Sequence, residues 1–380
     1  VSDLGVMAVK AGSQRAPDFM LWIGSKDVTS NLRNRLISLN LEDNRGFEAD
    51  TLTLKLDDSD GLLQLPQRGT LVSLFLGWVG QLHNKGDYTV DQVSHGGAPD
   101  VLTIVARSVD FRGELNKARD LSYHDATLGS IVTQIAQRCG LILQMAQGFA
   151  GINIDHIDQT HETDPAFVSR LAKRYGAIAV IKAGRLLFLR PGSGELASGK
   201  AIPTVLLTRQ DGDKHNFTVA DRTTYTGVQA KWLSTKEAKT HLFQLQRKVK
   251  AASADAATHP DAQSAPQPTG KQEGDYLSGQ KNSLLVLPEV FNSEEMAMQA
   301  AQAKWNEIQR GVVHFTFQLA AGRADLYPET PVRVSGFKTV IDASVWIISK
   351  VTHSLTANDG FTTTLELEND IAGVEYEVVN

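Results

Sequence analysis

The 380-residue sequence predicts a mainly β chain with α+β insertions, in which one antiparallel β unit occurs twice. Three observations carry this reading. Residues 1–111 hold short β-prone runs separated by turn signals. The octet YTVDQVSH (88–95) returns near the far end as WIISKVTH (346–353). Helical periodicity is confined to a middle segment and one late helix.

In the first region the strands are DFMLWIG (18–24), RLISLNLED (35–43), DTLTLKLDD (50–58), TLVSLFLGW (70–78), YTVDQVS (88–94) and VLTIVARS (101–108). Their regular spacing suits an antiparallel barrel or sandwich. Leu52, Leu54 and Leu56 take one face, and Thr51, Thr53 and Lys55 the other. The strands around Trp22 and Phe75 are apolar on both faces. Such strands need a second cover, so at least one of these two residues, as a subunit or partner contact, is expected against another domain or subunit.

Residues 112–203 read as a small α+β domain. Its first helix, 127–139, stops at Gly140, and its second has Asp164 at the N-cap, Pro165 at N1 and Gly176 as the stop. The strands AIAVI (177–181) and RLLFLR (185–190) follow. β character resumes over 204–249. Residues 250–275 contain no large apolar side chain and read as a flexible excursion. The next helix has Asn292 and Glu295 placed for a capping box and ends at Gly311. Strands at 312–320, 331–336, 345–353 and 361–368 complete the pattern. The second β unit is thus split, 204–249 with 312–369, with 250–311 inserted and 370–380 as a tail.

The repeat is one of residue type more than identity. Tyr88 and Val90 answer to Trp346 and Ile348, and Val93, Ser94 and His95 to Val351, Thr352 and His353. In both octets the apolar spacing is two and then three, which predicts a β-bulge between Val90 and Val93 and between Ile348 and Val351. Upstream, GTLVSLFLG (69–77) faces TPVRVSG (330–336), and a turn and a further strand follow each octet. The two histidines are expected at equivalent strand ends, as solvated or capped groups.

The net charge of −5 argues against a general nucleic-acid binder, and no run of ~18 apolar residues marks a membrane span. The first residues lack the charged-then-apolar order of a signal peptide. Cys139 is the only cysteine and lies on an apolar helical stripe, which predicts a structural thiol in a protein assembled in a reducing compartment. GSGELASGKA (192–201) spaces Gly194, Gly199 and Lys200 like a P-loop, but Ala201 replaces the metal-binding hydroxyl and Pro203 obstructs the helix. IDHIDQTHETD (154–164) gathers Asp155, His156, Asp158, His161, Glu162 and Asp164 without a standard metal spacing, and reads as a polar connection. No catalytic residue, metal or cofactor is assigned, and the chain is not read as an enzyme.

Three stretches carry a family resemblance: ADTLTLKLDDSDGLLQLPQRGTLVSLFLGW (49–78), the segment from YHDATLGSIVTQIAQRCGL to AIAVIKAGRLLF (123–188), and VTHSLTANDGFTTTLELE (351–368). In their order they resemble the phage late control D family, the baseplate hubs of contractile-tailed phages, similar also to the N-terminal part of type VI secretion spike proteins. Where relatives tend to read Pro-Gly-Asp-Pro, this chain has AAGRADLYPET (320–330), so the loop there is expected to differ. The resemblance implies a structural hub with two similar antiparallel β-barrels per chain, and a homotrimer whose six barrels join a six-fold tail tube to a three-fold central spike. It implies as partners the spike, the tail tube or tube-initiator protein and the tape-measure protein, with DNA passing through the channel without sequence-specific binding. The expected location is the virion tail baseplate, after assembly in the host cytoplasm. His314, Thr316 and Gln318 form a polar strand face that could line the channel or meet outer solvent. The alternative is a tail-associated peptidoglycan-binding or peptidoglycan-degrading protein acting through residues 112–203.

Overall fold

Alternation of apolar and polar side chains builds the first β unit, because a sheet with one covered face buries every second residue. The computed structural model describes residues 16–108, 115, 117–182, 184–195, 200–219, 225, 227–234, 239–247, 283–310, 313–369 and 376–379. The first unit comprises β1 (Pro17–Ile23), β2 (Lys26–Asp27), α1 (Thr29–Arg33), β3 (Leu36–Asn44), β4 (Thr51–Asp57), β5 (Leu71–Trp78), β6 (Gln81–Gly96) and β7 (Val101–Arg107). Leu39, Leu41, Leu52, Leu54, Leu56, Val72, Leu74 and Leu76 fill its core.

The middle region holds β8 (Ala118–Thr127), α2 (Leu128–Arg138), β9 (Ile142–Met145), β10 (Asn153–Thr163), α3 (Asp164–Arg174), β11 (Ile178–Lys182) and β12 (Arg185–Leu189). β8 and β10 form a long antiparallel ribbon, and β11–β12–β9 a small mixed sheet. The segment containing Asp155–Thr163 is therefore a strand rather than a connection. It escapes sequence reading because most of its side chains face solvent, with Ile154, Ile157 and Gln159 turned inward. The N-cap of α3 is Thr163, whose hydroxyl accepts from Ala166 N at 3.4 Å, so Asp164 and Pro165 each stand one position further into the helix than expected. Asp164 is thereby freed to turn inward, fully buried, where it meets Arg119 at 3.3 Å and Arg138 at 3.5 Å.

The remainder contains β13 (Val205–Thr208), β14 (Gly212–Val219), β15 (Gly227–Ser234), β16 (Lys239–Arg247), β17 (Leu284–Phe291), α4 (Glu294–Arg310), β18 (Val313–Leu319), β19 (Pro331–Ser335), α5 (Thr339–Asp342), β20 (Val345–Thr356), β21 (Gly360–Asn369) and β22 (Tyr376–Val379). The sequence reading gives all of 204–249 to the second β unit, and the structure divides it. β13 and β14 join that unit, whereas β15 and β16 form a separate sheet in the order β17-β15-β16-β22. The reason is the cover available to them. Val228, Ala230, Phe243 and Leu245 bury against Ala297, Ala301 and Trp305 of α4. The α4 cap is Ser293, which accepts from Met296 N at 3.3 Å, one residue later than the expected Asn292. The expected excursion at 250–275 lies outside the described residues.

Two barrels share one topology. Taking the long strands of each in chain order, β1 and β3–β7 lie as 1-4-5-6-3-2, and β13, β14 and β18–β21 lie as 1-4-5-6-3-2. The β6–β7 register slips between Val90 and Gln92, and the β20–β21 register between Ile348 and Lys350. These are the bulges that the repeated octets predict. The backbone bonds entering them also match. Gly69 N and Val90 N bond to Val90 O and Thr70 O at 2.8 and 2.9 Å, and Glu329 N and Ile348 N to Ile348 O and Thr330 O at 2.8 and 3.1 Å. The copies differ at their first strand, for β1 lies antiparallel on β5 but β13 lies parallel on β19.

Candidate functional site: the barrel junction and the polar sheet face

Past its bulge, β20 leaves β19 and takes β3 as its neighbour, from Lys350 opposite Asn44 to Thr356 opposite Ser38. This pairing makes the two barrels one 13-stranded sheet. It also explains His353, which is fully buried opposite Leu41, with Nδ1 2.9 Å from the Thr363 hydroxyl. Burial holds its imidazole well below the ordinary histidine range, so it is neutral at pH 7. Of the expected solvated or capped strand ends, His353 is thus a buried, hydrogen-bonded residue inside β20 rather than a solvated end. His95 is exposed and meets Asp58 at 3.2 Å, while His353 is sealed by the neighbouring barrel.

A polar network holds the junction. Lys182 of β11 bonds to Asp43 of β3 and lies 3.3 Å from Asp50. Burial would discharge this lysine, but the two carboxylates hold it above its usual range. Arg45 bridges Glu329 and Glu368 of the second barrel. The loop at 320–330, where a departure is expected, straps the barrels together. Trp78 Nε1 donates to Gly322 O at 2.9 Å, and Lys85 Nζ donates to Ala324 O and Leu326 O at 3.2 and 3.3 Å. The Lys85 ammonium sits 3.8 Å from the Tyr327 ring centre, and burial lowers its pKa to about 8.

The second feature is a face. His314, Thr316 and Gln318 of β18 stand opposite Thr218, Asn216 and Lys214 of β14, and opposite Glu368, Glu366 and Thr364 of β21. The same face continues through Lys350, Thr352 and Ser354 of β20 to Glu42 and Asn40 of β3. It runs on through Thr51 and Thr53 of β4 and Thr103 of β7 to Gln92 and Ser94 of β6. Eight adjacent strands thus present a band of mostly polar and charged side chains, interrupted by Val105 of β7, while their alternate residues fill the two cores. Single-sequence reading finds the β18 segment of it. The continuity depends on the β20–β3 pairing, between strands about 300 residues apart.

Trp22 and Phe75 lie together on the outer face of β1 and β5, since Trp22 stands opposite Ser73 and Phe75 opposite Met20, and both are partly buried. The chemical candidates are committed elsewhere. Asp158 accepts from Ser122 at 2.6 Å and contacts His156 at 3.1 Å, and Glu162 pairs with Arg170. Burial pushes the Cys139 thiol up to about 11, so the reactive thiolate is scarce. Lys200 precedes a strand, β13, rather than the helix a phosphate site requires; Gly199 lies outside the described residues.

The comparisons agree with this architecture. Residues 34–359 match the profile of a family described as phage tail baseplate hub (GPD). A probable baseplate hub protein of Escherichia phage 186 is 52% identical over 379 residues, covering 97% of each chain. One from Escherichia phage P2 is 51% identical over 382 residues, covering 98% of each. Among solved structures, a tail protein from Neisseria meningitidis MC58 superposes with a TM-score of 0.65 at 14% identity, covering 93% of this chain and 97% of the other. An E. coli type VI secretion component superposes at 0.50 and 12% identity, covering 95% and 76%.

Proposed function

The chain belongs to the phage tail baseplate hub (GPD) family, and from that premise we propose that it is the trimeric adaptor of a contractile tail, joining a six-fold tail tube to a three-fold central spike. The observation that supports this reading is the doubled barrel, with the same strand order and the same bulge in each copy. Three chains then supply six near-equivalent units, the number a six-fold tube needs above a three-fold spike. A structural part needs no reactive group, and the loops and carboxylates weighed above serve the fold. Its partners are the spike on one side and the tube or tube-initiator protein on the other, with the tape-measure protein in the channel. Assembly takes place in the host cytoplasm before the hub enters the virion.

The polar band lines the channel in this reading. Eight strands at ~4.8 Å spacing, taken three times, give a circumference of roughly 115 Å and a diameter of about 37 Å between backbones. A lining of Thr, Ser, Asn and Gln, with both signs of charge, lets DNA pass without holding it, because sustained phosphate binding needs clustered cations. Trp22 and Phe75, on the opposite side of the sheet from the core, provide an apolar contact for a second subunit or the spike.

Co-expression with the spike protein of the same tail tests the adaptor. Light scattering is expected to show three hub chains per spike trimer, and electron microscopy six β units around one axis. Trp22→Asp is expected to lower the yield of that complex while far-UV circular dichroism stays near that of the parent. A well-folded hub that forms no complex, or one with another number of chains, would overturn the proposal.

A further inference from the structure

The small mixed sheet of the middle region has two faces, and the helices cover one of them. Ala179 of β11 and Leu186 and Phe188 of β12 share a buried core with α2 and α3. The alternate residues form two cross-strand pairs on the other face, Ile178 opposite Leu189 and Val180 opposite Leu187. These four aliphatic side chains line a cavity of about 560 Å³, whose other walls include Ile202, Tyr327 and Pro328.

The cations around this cavity are of two kinds. Lys182 is held by Asp43 and Asp50, and Arg45 by Glu329 and Glu368, so both are committed to the barrel junction. Arg185 and Arg190 are exposed, and neither forms an ion pair among the described residues. Arg185 stands opposite Lys182, the next pair on the same face after Val180 and Leu187. Gln144 of β9, opposite Leu187, adds an amide to that end. Arg190 follows Leu189 at the other end, its guanidinium 5.6 Å from the Phe149 ring centre. Of the two lining carboxylates, Glu329 is taken up by Arg45 and Gly192 N, and Glu195 is exposed.

The sheet face is therefore polarised along its strands, with two aliphatic pairs followed by a pair of cations. From Leu189 to Arg185 it runs about 13 Å. A concave site of roughly 300–1,000 Å³, mainly apolar and with a few placed polar groups, is the form that small-molecule sites take. Its apolar walls favour an occupant that displaces water from them. Tyr327 is the one aromatic ring among the lining residues, so the walls suit a flexible aliphatic chain better than a flat ring that needs stacking partners. The free guanidinium selects the charge of the head group. A carboxylate can take two parallel N–H bonds from Arg185, whereas an ammonium would meet like charge there.

We propose that this cavity binds a small amphipathic anion, an aliphatic chain carrying a carboxylate. The chain lies on Ile178, Val180, Leu187 and Leu189, and the carboxylate on Arg185. The site is separate from the adaptor role and does not depend on it. It does touch the strap between the barrels, because Tyr327, Pro328 and Glu329 close the cavity on the side away from the sheet. An occupant held by both walls binds the folded chain and not the unfolded one, so it stabilises the fold by mass action.

The test is calorimetric titration of the full-length chain with dodecanoate below its micelle concentration. One saturable site per chain is expected, with an unfolding temperature that rises as dodecanoate is added. Dodecyltrimethylammonium, the same chain with the opposite charge, is expected to bind about 10-fold more weakly or less. Arg185→Glu is expected to reverse that preference. Leu187→Gln, which puts an amide among the aliphatic walls, is expected to weaken both ligands. Far-UV circular dichroism checks that each variant folds, and Arg185, being exposed, keeps the test decisive if the Leu187 variant does not. The absence of a saturable site would overturn the proposal. So would equal affinity for the two ligands, or a dodecanoate affinity that Arg185→Glu leaves unchanged.

Discussion

Glu329 occupies a position whose backbone suits glycine, and replacing it separates backbone strain from side-chain pairing. Its φ is +69°, and its counterpart in the first barrel, Gly69, has a φ of +88° and makes the same backbone bond. The left-handed conformation costs an ordinary L-residue about 1–2 kcal/mol. What offsets this is the carboxylate, largely buried, which pairs with Arg45 and accepts from Gly192 N at 3.2 Å. A hydrogen bond involving a charged group contributes about 1.5–3 kcal/mol, and Arg45 keeps Glu368 when Glu329 is lost. Glu329→Ala keeps the strain and loses the pair, so it is expected to cost about 1.5–3 kcal/mol. Glu329→Gly relieves the strain but adds unfolded-state freedom worth about 0.5–1 kcal/mol, which leaves it about 0.5–1 kcal/mol more stable than the alanine variant. Urea unfolding followed by tryptophan fluorescence reads both midpoints against the parent. An alanine variant as stable as the glycine variant would refute the strain argument. Two variants equal to the parent would refute the pairing.

Other perturbations act on the same junction. Burial keeps His353 neutral, and its folded pKa lies below the ordinary 6.5, so the unfolded chain binds the extra proton as pH falls below that value. Stability is expected to decline from pH 6.5 downward by up to about 1.4 kcal/mol per unit from this group, and His353→Gln to flatten that decline in urea titrations at pH 7 and 5. Lys85 titrates at about 8 when folded and 10.5 when unfolded, so the folded chain gains stability as pH rises between those values. Lys85→Met should remove that gain, and an unchanged alkaline profile would place the titration elsewhere. Lys182→Met leaves Asp43 and Asp50 facing each other without their cation, and a loss of about 3–5 kcal/mol is expected. Asp43→Asn in the Lys182→Met background should recover part of it, and the four urea midpoints complete that cycle.

The repeat was legible because a bulge leaves a mark in one dimension. The apolar spacing of YTVDQVSH and WIISKVTH shifts where the ladder slips, and no partner need be known to see it. Partners themselves leave no such mark. The strands at 227–234 and 239–246 alternate as well as any barrel strand, yet Val228, Ala230, Phe243 and Leu245 bury against α4, because Ala297, Ala301 and Trp305 supply the surface. His95 and His353 look alike in sequence, and the difference between them is made by β3, which covers one and not the other. The starts of α2, α3 and α4 were legible to within one residue, whereas the short α1 and α5 were not read at all. Thr163 and Asp164 both favour an N-cap, and the choice fell to the buried pocket of Arg119 and Arg138 that takes the carboxylate. The parallel set of β13, against the antiparallel set of β1, has no signature in four residues of strand.

The joint between β3 and β20 also bears on the order in which the chain is made. Leu39 and Leu41 leave the ribosome early, but the strand that covers that edge, and Ala324, Leu355 and Phe361 that complete the same core, come about 300 residues later. At 5–20 residues per second that interval is roughly 15–60 s. For that time the nascent first barrel carries an open edge and an unfilled core. The hub's earlier copy is the first to be synthesised and the last to be finished.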